Sequence, residues 1–140
     1  MNAERLRESL RIHEGVSLKP YEDSVGKITI GIGRNLDDNG ISMQEAYHLL
    51  DNDILTAQKE LDRYHPGWLG HSDLRQNVLI EMCFNLGGPK LNLFVKMWDA
   101  LEKHDYAKAA AEMLDSKWAD QVGRRAVTLS NMMLTDKWPE

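Results

Sequence analysis

The chain has 140 residues, of which 42% are hydrophobic and 28% charged, with a formal net charge of −5. That is one domain of ordinary size, long enough to bury a core. The acidic balance argues against a nucleic-acid partner, and no apolar run approaches the roughly 18 residues of a membrane span, so no integral membrane association is expected.

A first helix is predicted from an Asn2 N-cap, whose side chain can accept from an orphan amide. Leu6, Leu10 and Glu14 follow at steps of four and share one face. Glu14 therefore closes an apolar stripe, and Gly15 ends the helix. The segment Tyr21-Glu22-Asp23-Ser24-Val25-Gly26-Lys27 reads as a hairpin tip between two extended runs. From Ile28 to Gly33 the residues alternate. Ile28, Ile30 and Ile32 are expected on a core face, with Thr29, Gly31 and Gly33 on the other. Glycines inside a strand mark close approach by a ligand or by other backbone.

Residues 35–40, Asn-Leu-Asp-Asp-Asn-Gly, form a turn cluster. Ser42-x-x-Glu45 is a capping box that opens a long helix over 43–64, with Ala46, Leu50, Ile54, Ala57 and Leu61 on its apolar face. It stops before His65-Pro66-Gly67 and spans about 30 Å. Further helices are expected over about Ser72–Asn85 and Asn92–Lys103, behind an Asp105 cap to Leu114, and over Arg124–Leu134. The break at Gly87-Gly88-Pro89 separates the first two of these. Trp68, Trp98, Trp118 and Trp138 are expected to pack inside. Cys83, the single cysteine, excludes an internal disulfide and sits in an apolar helical pattern, where it reads as a small buried hydrophobe. The five histidines show no zinc-ligand spacing, so no metal and no cofactor are expected. The fold class is α+β, mainly helical.

Glu14 and Asp23 are the residues that point to chemistry. Two carboxylates in different surroundings suit acid-catalysed cleavage of a glycosidic bond, one keeping its proton to donate and the other ionised. Glu14, at the end of an apolar stripe, is expected to be shielded, which favours the protonated form of a carboxyl. Asp23, in a turn, is expected to be the wetter of the two. Thr29 stands where it can hold a water near Asp23, over a strip left bare by Gly31 and Gly33.

Glu14-x8-Asp23-x5-Thr29, with Glu14-Gly15, Leu18, Lys19, Tyr21 and Thr29-Ile30-Gly31-Ile32-Gly33 around it, resembles the bacteriophage-type lysozymes, the muramidase endolysins. The likeness continues in Met82-Cys83-Phe84-Asn85-Leu86-Gly87 and in Ser116-Lys117-Trp118, Gln121 and Arg124-Arg125-Ala126. It implies one lysozyme-like domain over 1–140. A β lobe would cover about 15–40, a helical lobe 1–14 plus 65–140, and helix 43–64 would join them beside a cleft. It implies hydrolysis of the β-1,4 bond between N-acetylmuramic acid and N-acetylglucosamine in peptidoglycan, for cell lysis. Glu14 would be the acid, Asp23 the base or electrostatic partner, and Thr29 the holder of water. Phe84, Asn85 and Asn35 would contact substrate.

Inversion would require the carboxyls to stand about 6.5–9.5 Å apart, against roughly 5–5.5 Å for a retaining enzyme in which Asp23 is the nucleophile. In the best-known members a histidine follows the second glycine of the Gly-x-Gly strand; here Arg34 does, and its charge does not titrate in the useful range. A basic group of Lys90, Lys96, Lys117, Arg124 and Arg125 could meet an anionic wall. The charged stretch from Met1 to Pro20 has no apolar signal-peptide core. The resemblance then implies synthesis in the host bacterial cytoplasm and passage to the wall through a separate pore protein. The protein is expected to act as a monomer. The competing readings are a lytic transglycosylase, which needs the glutamate but no water-organising aspartate, and an inactive wall-binding or structural phage module.

Overall fold

A computed structural model describes every residue from Met1 to Glu140. Helix accounts for 69% of the chain and the sheet is a small antiparallel one, so the expected α+β, mainly helical class holds. By its contacts the chain forms two compact units, Met1–Leu49 and Leu50–Glu140. No helix is long and apolar enough to cross a membrane.

The first unit begins with α1 (Ala3–Glu14). Asn2 caps it as predicted, its Oδ1 accepting from the Arg5 amide at 3.1 Å, and the Gly15 amide closes on Arg11 O at 3.0 Å. A three-stranded antiparallel sheet follows in the order β1 (Ser17–Glu22), β2 (Ile28–Gly31) and β3 (Arg34–Asn35). Tyr21 faces Thr29 and Glu22 faces Ile28 across β1–β2, with an irregularity between Ser17 and Tyr21. Thr29 faces Asn35 and Ile30 faces Arg34 across β2–β3. The strand predicted over 28–33 thus ends at Gly31, because Gly31 and Gly33 both take positive φ and turn the chain into β3. The turn cluster at 35–40 contains one helical turn, α2 (Leu36–Asn39).

Helix α3 (Met43–Tyr64) starts on the predicted capping box. The Glu45 amide donates to Ser42 Oγ at 3.1 Å, and Glu45 Oε1 accepts the Ser42 amide at 2.9 Å. It ends at Tyr64, before His65-Pro66, as the spacing requires.

The second unit holds the core. After a 3-10 turn at Pro66–Gly70 come α4 (Asp73–Leu86), α5 (Gly88–Asn92), α6 (Val95–Glu102), α7 (Tyr106–Leu114), α8 (Lys117–Val122) and α9 (Arg124–Thr135). Helix α4 buries Leu74, Val78, Leu79, Met82 and Cys83, which is the pattern of a helix covered on most sides. Met97 and Leu101 from α6, Ala109 and Met113 from α7, and Leu129 and Met133 from α9 complete that core. Trp68, Trp98 and Trp118 are buried, and their indole N–H groups donate to Asp62 Oδ1, Leu91 O and Asn85 Oδ1 respectively. Trp138, expected inside, is exposed. Cys83 is buried as predicted. Its Sγ lies 3.6 Å from Ala57 O, and burial, reinforced by the charge of Glu60, pushes the thiol above its usual range.

Because Leu79 is fully buried in this core, Leu79→Ala is expected to cost about 2–5 kcal/mol, from lost burial together with the cavity left behind. Urea denaturation checks this. The chemistry proposed below draws on first-unit groups, so the activity per folded molecule should change little.

Candidate active site

The carboxylate of Glu14 leaves the last turn of α1 and lies against Gly33. A Cβ built on Gly33 would come within 2.7 Å of Glu14 Oε2 and 3.0 Å of its Cδ. No other residue type fits that contact unchanged, and Gly33 also has φ +71°. The second glycine of the pair differs. Nothing lies within 4 Å of a Cβ placed on Gly31, so the strip there is open space.

Two expectations about the carboxylates are reversed. Glu14 is exposed rather than shielded, because the stripe it ends is uncovered: Leu6 and Leu10 are 46% and 45% exposed, and α1 buries no residue. A spacing of four tells which side chains share a face; it does not supply the neighbour that covers them. Asp23 is half-buried and therefore drier than Glu14. Its Oδ1 is drawn into its own turn, where it accepts from the amides of Val25 at 2.9 Å and Lys27 at 2.8 Å. No protein group donates to Oδ2.

The two faces of β2 are also exchanged. Thr29, expected on the open face, is buried, while Ile28 and Ile30 are half-buried and Ile32 is exposed. Thr29 lies in the middle strand, and its hydroxyl tolerates burial because it donates to Lys27 O at 3.0 Å. Lys27 is the shared anchor. Its amide donates to Asp23 Oδ1, and its carbonyl accepts both the Asp23 amide at 2.9 Å and the Thr29 hydroxyl. Asp23 and Thr29 are thereby both held to Lys27. The sequence marked Lys27 only as the end of a turn.

Arg34 does not engage Glu14. Its Nη1 donates to Gly40 O at 3.0 Å and to Glu45 Oε1 at 2.8 Å. That hydrogen bond, followed by the Ser42 amide, holds the Glu45 carboxyl down at about 2, and Glu45 in turn raises the Arg34 guanidinium above its ordinary value. A carboxyl depressed in the folded state contributes stability above its unfolded value that is lost as pH falls through the folded one. Glu45→Gln is therefore expected to destabilise by a constant amount above pH 4.5, the ordinary value, with the difference from wild type vanishing as pH nears 2. Urea midpoints across that range check it.

Asn35 faces Thr29 across β2–β3, but its side chain is committed at both ends to α2. Its Oδ1 accepts the Asp38 amide at 3.0 Å and its Nδ2 donates to Asp38 Oδ2 at 2.9 Å. It serves as the N-cap of α2. The other two expected contacts belong to the second unit. Phe84 is 46% exposed and lines a cavity of about 270 Å³ with Asp53, Thr56 and Glu60. Asn85 is exposed and holds the Trp118 indole N–H. The basic group divides. Lys90, Lys96 and Lys117 line a cavity of about 670 Å³ with Phe94, Trp118 and Gln121, whereas Arg125 pairs with Glu81 at 3.6 Å.

The phage lysozyme family profile matches residues 11–132, a span that contains Glu14, Asp23 and Thr29. The chain is 29% identical to the pre-baseplate central spike protein of Enterobacteria phage T4, over 93% of this chain but only 28% of that protein. It is 26% and 25% identical to two probable T4-type lysozymes of Dictyostelium discoideum, each alignment covering 86% of this chain and 88% of the relative.

Proposed function

The chain belongs to the phage lysozyme family, and on that premise we propose that it is a muramidase that hydrolyses the β-1,4 bond between N-acetylmuramic acid and N-acetylglucosamine in peptidoglycan. Glu14 donates its proton to the glycosidic oxygen as the bond breaks. Its exposure leaves it open to that oxygen, and the bound saccharide supplies the shielding that the free protein lacks.

The observation that carries the reading is the arrangement at Lys27. The Thr29 proton is committed to Lys27 O, so the hydroxyl oxygen can only accept from an incoming molecule. Asp23 Oδ2 has no protein donor, and an ionised carboxylate is likewise acceptor-only. A water that donates one O–H to each keeps its lone pair for the anomeric carbon. Asp23 takes the water's proton as the C–O bond forms, and Glu14 delivers its own to the departing sugar hydroxyl, so the two transfers balance. Attack by water opposite the departing oxygen inverts the anomeric centre.

Clearing of permeabilised cells by wild type, with mass analysis of the released muropeptides, tests the proposal. Hydrolysis gives reducing muramic acid ends. Anhydro ends would make the protein a transglycosylase, and no clearing would make it a wall-binding module.

A further inference from the structure

Strand β3 is only two residues long. Its pairing with β2 runs through Ile30↔Arg34 and Thr29↔Asn35 and stops there, because the next residue, Leu36, begins α2. The Ile28 amide would therefore face the end of the ladder without a strand carbonyl. Asp37 takes that place: its Oδ2 accepts the Ile28 amide at 2.7 Å, shorter than either amide contact to Asp23. The cap of α2 is Asn35, so the Asp37 carboxylate is not needed to start its own helix. A second tie, Lys27 Nζ to Asp38 Oδ1 at 3.1 Å, runs beside it.

We propose that Asp37 is a positioning residue, which fixes Asp23 and Thr29 relative to each other through its hydrogen bond to the Ile28 amide. Ile28 lies between Lys27, to which both of those side chains are bonded, and Thr29 itself. If the Ile28 peptide rotates, the Lys27 carbonyl rotates with it, and the acceptor shared by the Asp23 amide and the Thr29 hydroxyl is lost. The role belongs to an acceptor oxygen rather than to a negative charge. The inference rests on the hydrolytic reading above.

The test compares wild type, Asp37→Ala and Asp37→Asn on soluble peptidoglycan oligomers. Displacement of a reacting group by about an ångström costs up to about 100-fold; kcat for Asp37→Ala is accordingly expected to fall roughly ten- to a hundredfold, with KM within about twofold. Asp37→Asn keeps a side-chain acceptor and should restore more than half of the rate. In amide exchange, Ile28 should lose protection in Asp37→Ala and keep it in Asp37→Asn.

Wild-type kcat in Asp37→Ala would overturn the inference. So would equal losses in both variants, since charge would then be the cause. Loss of protection throughout β1 and β2 would overturn it too, since the carboxylate would then hold the sheet rather than the pair. An inert wild type would refute the hydrolytic reading and this inference together, whereas an active wild type beside an unaffected Asp37→Ala overturns the inference alone.

Discussion

Glu14→Gln is expected to leave the protein folded and to lower peptidoglycan turnover by about 10²–10⁴-fold, the range that a positioned general acid supplies. Glutamine matches glutamate in size and still fits over Gly33, but it has no proton to give to the glycosidic oxygen. Glu14 is exposed at the end of a helix that buries nothing, and no salt bridge or side-chain hydrogen bond depends on it. Surface changes of this kind usually move stability by less than about 0.5 kcal/mol. The effect should therefore fall on kcat, with KM and the melting temperature close to wild type. Turbidity clearing beside a thermal melt separates the two. Equal clearing by both proteins would remove Glu14 from the chemistry.

Gly33→Ala should do comparable damage by a different route. The new Cβ would stand 2.7 Å from Glu14 Oε2, and the carboxylate must move because it is the free end of a flexible side chain. A shift of about an ångström costs up to about 100-fold in rate. The backbone contributes separately, since an L-residue held at the left-handed φ of Gly33 costs about 1–2 kcal/mol. Both losses should be measurable in one variant, the first by kcat and the second by urea denaturation. Combining the changes distinguishes them. On a Glu14→Gln background Gly33→Ala should add little loss of rate but the same loss of stability. Additive losses of rate would mean that Gly33 acts on substrate directly and not through Glu14.

The helix starts were legible in the sequence because capping is local chemistry. Asn2, Ser42 with Glu45, and Asp105 each accept the amide that their spacing assigns them. The short helices were not. Gly87-Gly88-Pro89 reads as a break, yet Pro89 stands in the first turn of α5, where proline is favoured. Helix α8 carried its signal in Ser116, which accepts from the Ala119 amide at 3.1 Å, but six residues show too little periodicity to announce a helix.

At the candidate site the spacing of Glu14, Asp23 and Thr29 picked out the residues, while burial had to come from tertiary structure. Alternation separates two faces of β2 without saying which is covered, and it is Thr29 that is covered. The contact between Glu14 and Gly33 and the bond from Ile28 to Asp37 join residues 19 and 9 positions apart along the chain. No local pattern reports contacts of that kind. Arg34 could be placed relative to Glu14 only in three dimensions, where it turns to Glu45.

Under the proposed mechanism Asp23 and Thr29 hand a water to the anomeric carbon while Glu14 protonates the leaving oxygen. Proton NMR on the first turnovers of a soluble peptidoglycan oligomer reads this directly, before mutarotation mixes the products. The α-anomer of the new reducing end is expected to appear first. A β-anomer appearing first would make Asp23 a nucleophile with a covalent intermediate and contradict it.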